Sequence, residues 1–137
     1  MLVNVKIRRS YAWILTICLI STAAAWAHHA TALQYDISRT VELKGVVSKL
    51  DWANPHAHVY IDFTKDSGVA EHWNVELGSP GAIIVAGLSR ELLSPGTTLT
   101  ITGYPGKTNS TNSKMLSICA THVTLADGSV ATFVVGI

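Results

Sequence analysis

The feature that most constrains the fold is a segment of alternating apolar and polar residues that begins after a proline turn. Asn54-Pro55 is a common turn opener, because proline fixes its own φ angle and biases the preceding residue away from the helical region. Residues 56–63 then alternate, which predicts a strand whose successive side chains point to opposite faces. The apolar row, which is expected to face the core, contains Ala57, Val59 and Ile61. The polar row, which is expected to face outward, contains His56, His58 and Tyr60.

Further segments show strand patterns, and turn-rich sequences separate them. The first of these segments, residues 41–50, alternates apolar and polar residues on either side of Gly45, and a glycine inside a strand is typical of a bulge or a barrel corner. Turn chemistry between residues 64 and 70 predicts a hairpin, which places Glu76 opposite His58 and Asn74 opposite Tyr60. The predicted strands cover residues 41–50, 56–63, 71–77, 97–104 and 115–125, and a short closing strand is expected at 130–135.

One segment, residues 82–93, has helical character, and Gly87 interrupts it. Ser89 can cap a short helical turn over residues 90–93. Three strands, a short helix and two more strands is the order of the OB-fold, a small Greek-key barrel. The sequence therefore predicts an all-β, five-stranded OB-fold-like barrel with one short helix between strands 3 and 4. A chain of 137 residues suffices for one such domain.

The first 27 residues have the organisation of a secretory signal peptide. Lys6, Arg8 and Arg9 form a positive region, residues 11–20 are apolar, and Ala25-Trp26-Ala27 is an A-x-A cleavage site. Cleavage after Ala27 predicts a periplasmic or secreted protein with a single domain over residues 28–137. Residues 28–40 are expected to form an irregular N-terminal arm with Leu33 and Tyr35 as anchors. The apolar run is too short for a membrane span, so none is expected after cleavage.

Charge and cysteine content narrow the function classes. Residues 28–137 contain seven Lys and Arg against nine Asp and Glu, and this net charge of −2 does not suggest a nucleic-acid partner. Cys18 leaves with the signal peptide, so no intramolecular disulfide is expected, and Cys119 is interpreted as a small buried apolar residue. The sequence shows no nucleophile motif and no glycine-rich phosphate loop. We therefore expect a binding protein rather than an enzyme.

The histidines suggest a metal site. Cleavage after Ala27 would make His28 the first residue, so that its α-amine and ring Nδ1 could hold one metal ion together. A ring nitrogen of His56 or His58 would complete a T-shaped set of nitrogens that resembles the histidine brace of copper proteins. Amine and imidazole donors suit Cu(II). The sequence thus predicts a copper-binding protein with His28, His56 and His58 as ligands.

A structural interpretation accounts for the same residues. His56 can fasten the turn beside Trp52, and His72 and His122 each lie singly in a strand, where a structural role is expected. In the alternative function, the protein is a metal-free OB-fold adaptor that binds a small molecule, a peptide or an envelope protein. The residues expected to support the metal or to form this ligand face are His29, Trp52, Tyr60, Asn74 and Glu76.

Several short motifs resemble a family of small exported bacterial proteins of unknown function. They are His28-His29-Ala30, Leu43-Lys44-Gly45-Val46-Val47, Trp52-Ala53-Asn54-Pro55-His56, Trp73-Asn74-Val75-Glu76-Leu77-Gly78, Pro95-Gly96 and Leu125-Ala126-Asp127-Gly128. The most specific combination is the Trp-x-Asn-Pro-His element with a downstream Trp-x-x-Glu. This resemblance implies an OB-fold-like domain and an exported location, and it implies no particular activity.

Overall fold

The computed structural model of the protein describes residues 31–110 and 113–133. The predicted signal peptide, its predicted cleavage site, His28 and His29 lie outside these residues. The described part contains six strands and one helix outside the N-terminal arm. Their bounds are β1 Val41–Asp51, β2 His58–Thr64, β3 Ala70–Glu76, α1 Pro80–Val85, β4 Thr98–Pro105, β5 Leu116–Thr124 and β6 Val130–Thr132.

Five of the strands close into a barrel. The sheet order is β3-β2-β1-β4-β5-β6, and neighbouring strands in this order are antiparallel. A parallel pairing between β3 and β5 joins residues 73–76 to residues 116–119 and closes the sheet. Strand β6 adds to the edge of β5, and α1 lies between β3 and β4 in the chain. The predicted five-stranded OB-fold-like barrel with one short helix is confirmed.

Strand β1 coils so that it pairs with two neighbours. Its residues 41–46 pair with β4, and its second half pairs with β2. A Cβ atom at Gly45 would lie 2.5 Å from the carbonyl oxygen of Asp62, so only glycine permits this close approach. The bulge in β1 follows between Val47 and Lys49. Gly45 therefore forms the barrel corner, and the bulge lies beyond it.

The inward rows predicted from alternation form the core, with one exception. Each of five residues is at most 1% exposed: Val59, Ile61, Val75, Leu99 and Ile101. Trp73 alternates with Val75 on β3, which predicts the same inward row, but it is only partly buried and packs against the core. Its indole N–H donates a 3.1 Å hydrogen bond to Glu71. An indole needs a partner for this N–H, which favours a position at the edge of the barrel.

The helix is shorter than predicted and begins earlier. The Ser79 hydroxyl accepts a hydrogen bond from the backbone N–H of Ala82, and Pro80 occupies the first turn, where its missing N–H costs nothing. Gly87, with a φ of 90°, follows the end of the helix. Residues 90–93 form turns, and the Ser89 hydroxyl accepts a 3.4 Å hydrogen bond from the backbone N–H of Leu92, the capping contact predicted from the sequence. The helix places Ile83 in the core.

The N-terminal arm is more ordered than expected. Residues 31–34 are helical rather than irregular, and Tyr35 makes an isolated antiparallel bridge with Gly106. Tyr35 is buried, as expected of an anchor, whereas Leu33 is 75% exposed and anchors nothing. The arm is thereby fixed beside the start of the loop that connects β4 to β5.

Candidate functional site

A row of polar side chains follows the outer face of β2 and β3, away from the hairpin turn. His58 lies opposite Glu76 and Tyr60 opposite Asn74, which confirms the predicted register. The pairing extends to the residue before β2, because the backbone N–H of Ala57 donates to the carbonyl of Gly78 and the carbonyl of Ala57 accepts from the N–H of Leu77. His56 therefore continues the outward row of His58 and Tyr60.

The carboxylate of Glu76 contacts two groups from different parts of the chain. Its Oε1 lies 2.6 Å from Nδ1 of His56. Its Oε2 accepts a 2.6 Å hydrogen bond from the hydroxyl of Tyr35, in the N-terminal arm. Tyr35 was absent from the predicted site, because no local pattern shows that an aromatic residue in a polar arm reaches a carboxylate on β3. Glu76 thus links the arm to His56.

The second histidine of the row is held in a similar way. Nδ1 of His58 lies 2.9 Å from Oδ1 of Asn74, in hydrogen-bonding geometry. An ionised carboxylate and an amide oxygen only accept hydrogen bonds, so these contacts place the ring proton of both His56 and His58 on Nδ1. In the neutral form of each ring Nε2 then carries the lone pair, and no described residue hydrogen-bonds to it. Histidines that bind metal through Nε2 usually have this arrangement.

The part of this cluster beside β5 and the N-terminal arm is buried. Cys119 is paired with Glu76 across β3 and β5. Burial, and then the charge of Glu76, raises the pKa of the Cys119 thiol to about 12. Burial, followed by the hydrogen bond and the charge of Glu76, also raises the pKa of Tyr35 above its ordinary value. Both groups are therefore protonated at neutral pH, and Cys119 is a buried thiol, as interpreted from the sequence.

The structure brings together only part of the predicted site. His56, His58, Asn74 and Glu76 lie together, whereas Trp52 is half-buried against the core. The ring of Tyr60 lies beneath the ammonium group of Lys49, at 4.8 Å from the ring centroid. Over the two described ranges, no group of three or more His, Cys, Asp and Glu is arranged to hold a metal ion. His56 and His58 would therefore need a further donor, and the predicted one, His28, is outside the description.

Two other histidines lie elsewhere on the barrel. Nδ1 of His72 lies 2.8 Å from Oδ1 of Asp62, at the hairpin end of the same face. Nδ1 of His122 lies 3.0 Å from the hydroxyl of its neighbour Thr121 on β5. Both histidines are exposed, and neither contacts the cluster around Glu76.

Solved structures with a similar chain path are distant in sequence. The mitochondrial single-stranded DNA binding protein Rim1 of S. cerevisiae is 12% identical, with a TM-score of 0.48 over 64% of this chain and 93% of Rim1. The N-terminal domain of PriB from Thermoanaerobacter tencongensis is 19% identical, with a TM-score of 0.47 over 65% of this chain and 97% of that domain. The S. pombe Stn1-Ten1 complex contains a chain that is 13% identical, with a TM-score of 0.42 over 64% of this chain and 57% of its own length.

Sequence comparison places the chain in a family. No curated protein sequence matches it. In the part of the chain that the structure covers, no helix has the length and apolar character needed to cross a membrane. The model of DUF6152, a family of unknown function, matches residues 16–115, which is most of the chain. The protein therefore belongs to the DUF6152 family.

Proposed function

We propose that this protein is an exported copper-binding module. In this proposal His56 and His58 each supply Nε2, and His28 supplies its ring nitrogen and the α-amine that signal cleavage exposes. The observation that carries the proposal is the pair of contacts at Nδ1, from Glu76 to His56 and from Asn74 to His58. These contacts orient two neighbouring imidazoles with their second nitrogen available.

The donor set favours copper over other metals. Imidazole and amine nitrogens are good ligands for Cu(II), which has the highest affinity among the divalent first-row metals for such sites. Glu76 is the nearest carboxylate, and both of its oxygens are already engaged, by His56 and by Tyr35. A hard cation such as Mg²⁺ or Ca²⁺ requires several oxygen ligands, which this cluster does not offer.

The position of Tyr35 supports a contribution from His28. Tyr35 is held on Glu76, which also contacts His56, so the arm passes close to the two strand histidines. His28 precedes Tyr35 by seven residues, and seven residues span at most about 25 Å when fully extended. The helical residues 31–34 shorten that reach. His28 is therefore within range of His56, and the leader-like sequence before it supports export.

The proposal is tested by Cu(II) titration of protein prepared to begin at His28. We expect one equivalent to bind. The combined His56→Ala and His58→Ala variant should lose more Cu(II) affinity than the roughly 10- to 100-fold that removal of a hydrogen-bond partner of a metal ligand costs. The matched control is His122→Ala, which removes an exposed histidine from another part of the barrel and should leave the affinity unchanged.

The opposite result would reject the proposal. If the double variant binds Cu(II) as tightly as the unmodified protein, the strand histidines are not ligands. The metal-free adaptor function would then be the better account of the same face.

A further inference from the structure

We infer that His72 and Met115 form a separate binding site for a soft monovalent cation of the Cu(I) or Ag(I) type. None of its residues belongs to the proposed Cu(II) site. His72 was given only a structural role from the sequence, because a single histidine in a strand has no visible partner there.

The parallel pairing of β3 with β5 brings the two donors together. Its first pair is Trp73 with Leu116; His72 precedes Trp73 on β3, and Met115 is the residue just before β5 begins. Neighbouring strands lie about 4.8 Å apart, so the two residues flank the start of this pairing. Both side chains line one open groove, together with Asp62 and Tyr60. Because the two residues are distant in the sequence, only closure of the barrel makes them neighbours.

The histidine is oriented for metal binding. Nδ1 of His72 lies 2.8 Å from Oδ1 of Asp62, so the carboxylate holds the ring proton on Nδ1. The lone pair of Nε2 is then available, as in the carboxylate–histidine pairs that support metal ligands.

The methionine determines which metal is favoured. Met115 is 48% exposed, so its thioether is not used in core packing. A thioether is a soft ligand that selects Cu(I) among the common biological metals, whereas imidazole binds copper in either oxidation state. A hard divalent cation finds no suitable set of oxygen ligands here, since the Asp62 carboxylate is engaged by His72.

The rest of the groove is compatible with a small cation. Trp73 also lines it. The Asp62 carboxylate, which also lines the groove, adds a negative charge that favours a cation. Lys49 also lines the groove, but its ammonium group lies over the ring of Tyr60 and 3.8 Å from Asp51, which partly offsets its charge. The groove volume of about 290 Å³ accommodates one ion with bound water.

The experiment uses Ag(I), which mimics Cu(I) without redox chemistry, and observes the Met115 methyl group by NMR. The spectrum of Met115→Leu, a swap that nearly conserves volume, identifies this resonance in the purified protein. We expect the Met115 methyl and the His72 ring resonances to shift together and to saturate at one equivalent. A site-specific signal is needed because Ag(I) also has affinity for thiols such as Cys119.

Variants separate this site from other binding. In His72→Gln the methyl shift should be lost at the same Ag(I) concentration, and in Asp62→Asn the affinity should fall about 10- to 100-fold. His122→Gln, the matched control, should behave like the unmodified protein. The inference is overturned if the methyl resonance does not move, or if it moves equally in His72→Gln. Repeating the titration with His56 and His58 both replaced by Ala makes this result independent of the proposed Cu(II) site.

Discussion

The hydroxyl of Tyr35 donates a 2.6 Å hydrogen bond to Glu76, a residue 41 positions further along the chain. The other oxygen of this carboxylate contacts His56. A single side chain on β3 therefore connects the N-terminal arm with the turn that precedes β2. In our account this connection brings the start of the processed chain close to the strand histidines.

The first prediction concerns Glu76 as a positioning residue. Glu76→Gln keeps the size of the side chain but removes the charge that holds the proton of His56 on Nδ1. We expect Cu(II) affinity to fall about 10- to 100-fold, as measured by competition with a chelator of known affinity. Glu71→Gln is the matched control, because Glu71 lies on the same strand but contacts Lys65 and Trp73 instead. Equal losses in the two variants would contradict a specific role for Glu76.

A second prediction concerns alkaline pH and Cys119. The folded thiol has a pKa of about 12, raised from 9.0 mainly by burial. Below pH 9 the thiol is protonated in both the folded and the unfolded protein, so ionisation of the thiol does not lower the free energy of unfolding there. Between pH 9 and pH 12 it ionises in the unfolded chain only, so stability should fall by up to about 1.4 kcal/mol per pH unit.

Denaturant unfolding at pH 7 to 10.5 measures this effect. The Cys119→Ala variant should lose less stability over the alkaline part of the range than the unmodified protein does. An identical pH dependence in the two proteins would show that the thiol does not contribute.

The third prediction concerns the core. Ile61 is fully buried on the inward row of β2. Ile61→Ala should lower the free energy of unfolding by about 2 to 5 kcal/mol, the range for large-to-small changes in a packed core. Val130→Ala, at a position that is 57% exposed, should change it by less than about 0.5 kcal/mol. A loss below about 0.5 kcal/mol at Ile61 would indicate that the inward face has been assigned to the wrong residues.

Much of this register could be predicted from the sequence, because alternation with a period of two determines which face each residue of β2 and β3 occupies. The start of α1 could not be predicted from the sequence, because a Ser-Pro pair such as Ser79-Pro80 occurs both at helix N-termini and at strand breaks. Contacts between distant segments leave no local pattern. The bond from Tyr35 to Glu76 depends on how the arm folds against the barrel, and the adjacency of His72 and Met115 depends on the β3–β5 pairing that closes it.

A fourth prediction tests the close approach of β4 to β5. Gly103 lies beside a bulge between β4 and β5, and a Cβ atom there would overlap the carbonyl oxygen of Cys119. Gly103→Ala should therefore destabilise the protein, as measured by thermal unfolding. Gly81→Ala is the control, because a Cβ atom at this helical position meets nothing within 4 Å and alanine favours the helix. The control should be neutral or stabilising, and similar destabilisation by both substitutions would contradict the close approach at Gly103.

The most direct test of the copper proposal compares two proteins that differ only at the N-terminus. One begins at His28, and the other carries one additional residue before it, which turns the α-amine into a poorly coordinating amide. The account predicts that the first binds one Cu(II) tightly and that the extension weakens binding by orders of magnitude. Equal Cu(II) affinity in the two proteins would contradict a site built on the amine of His28.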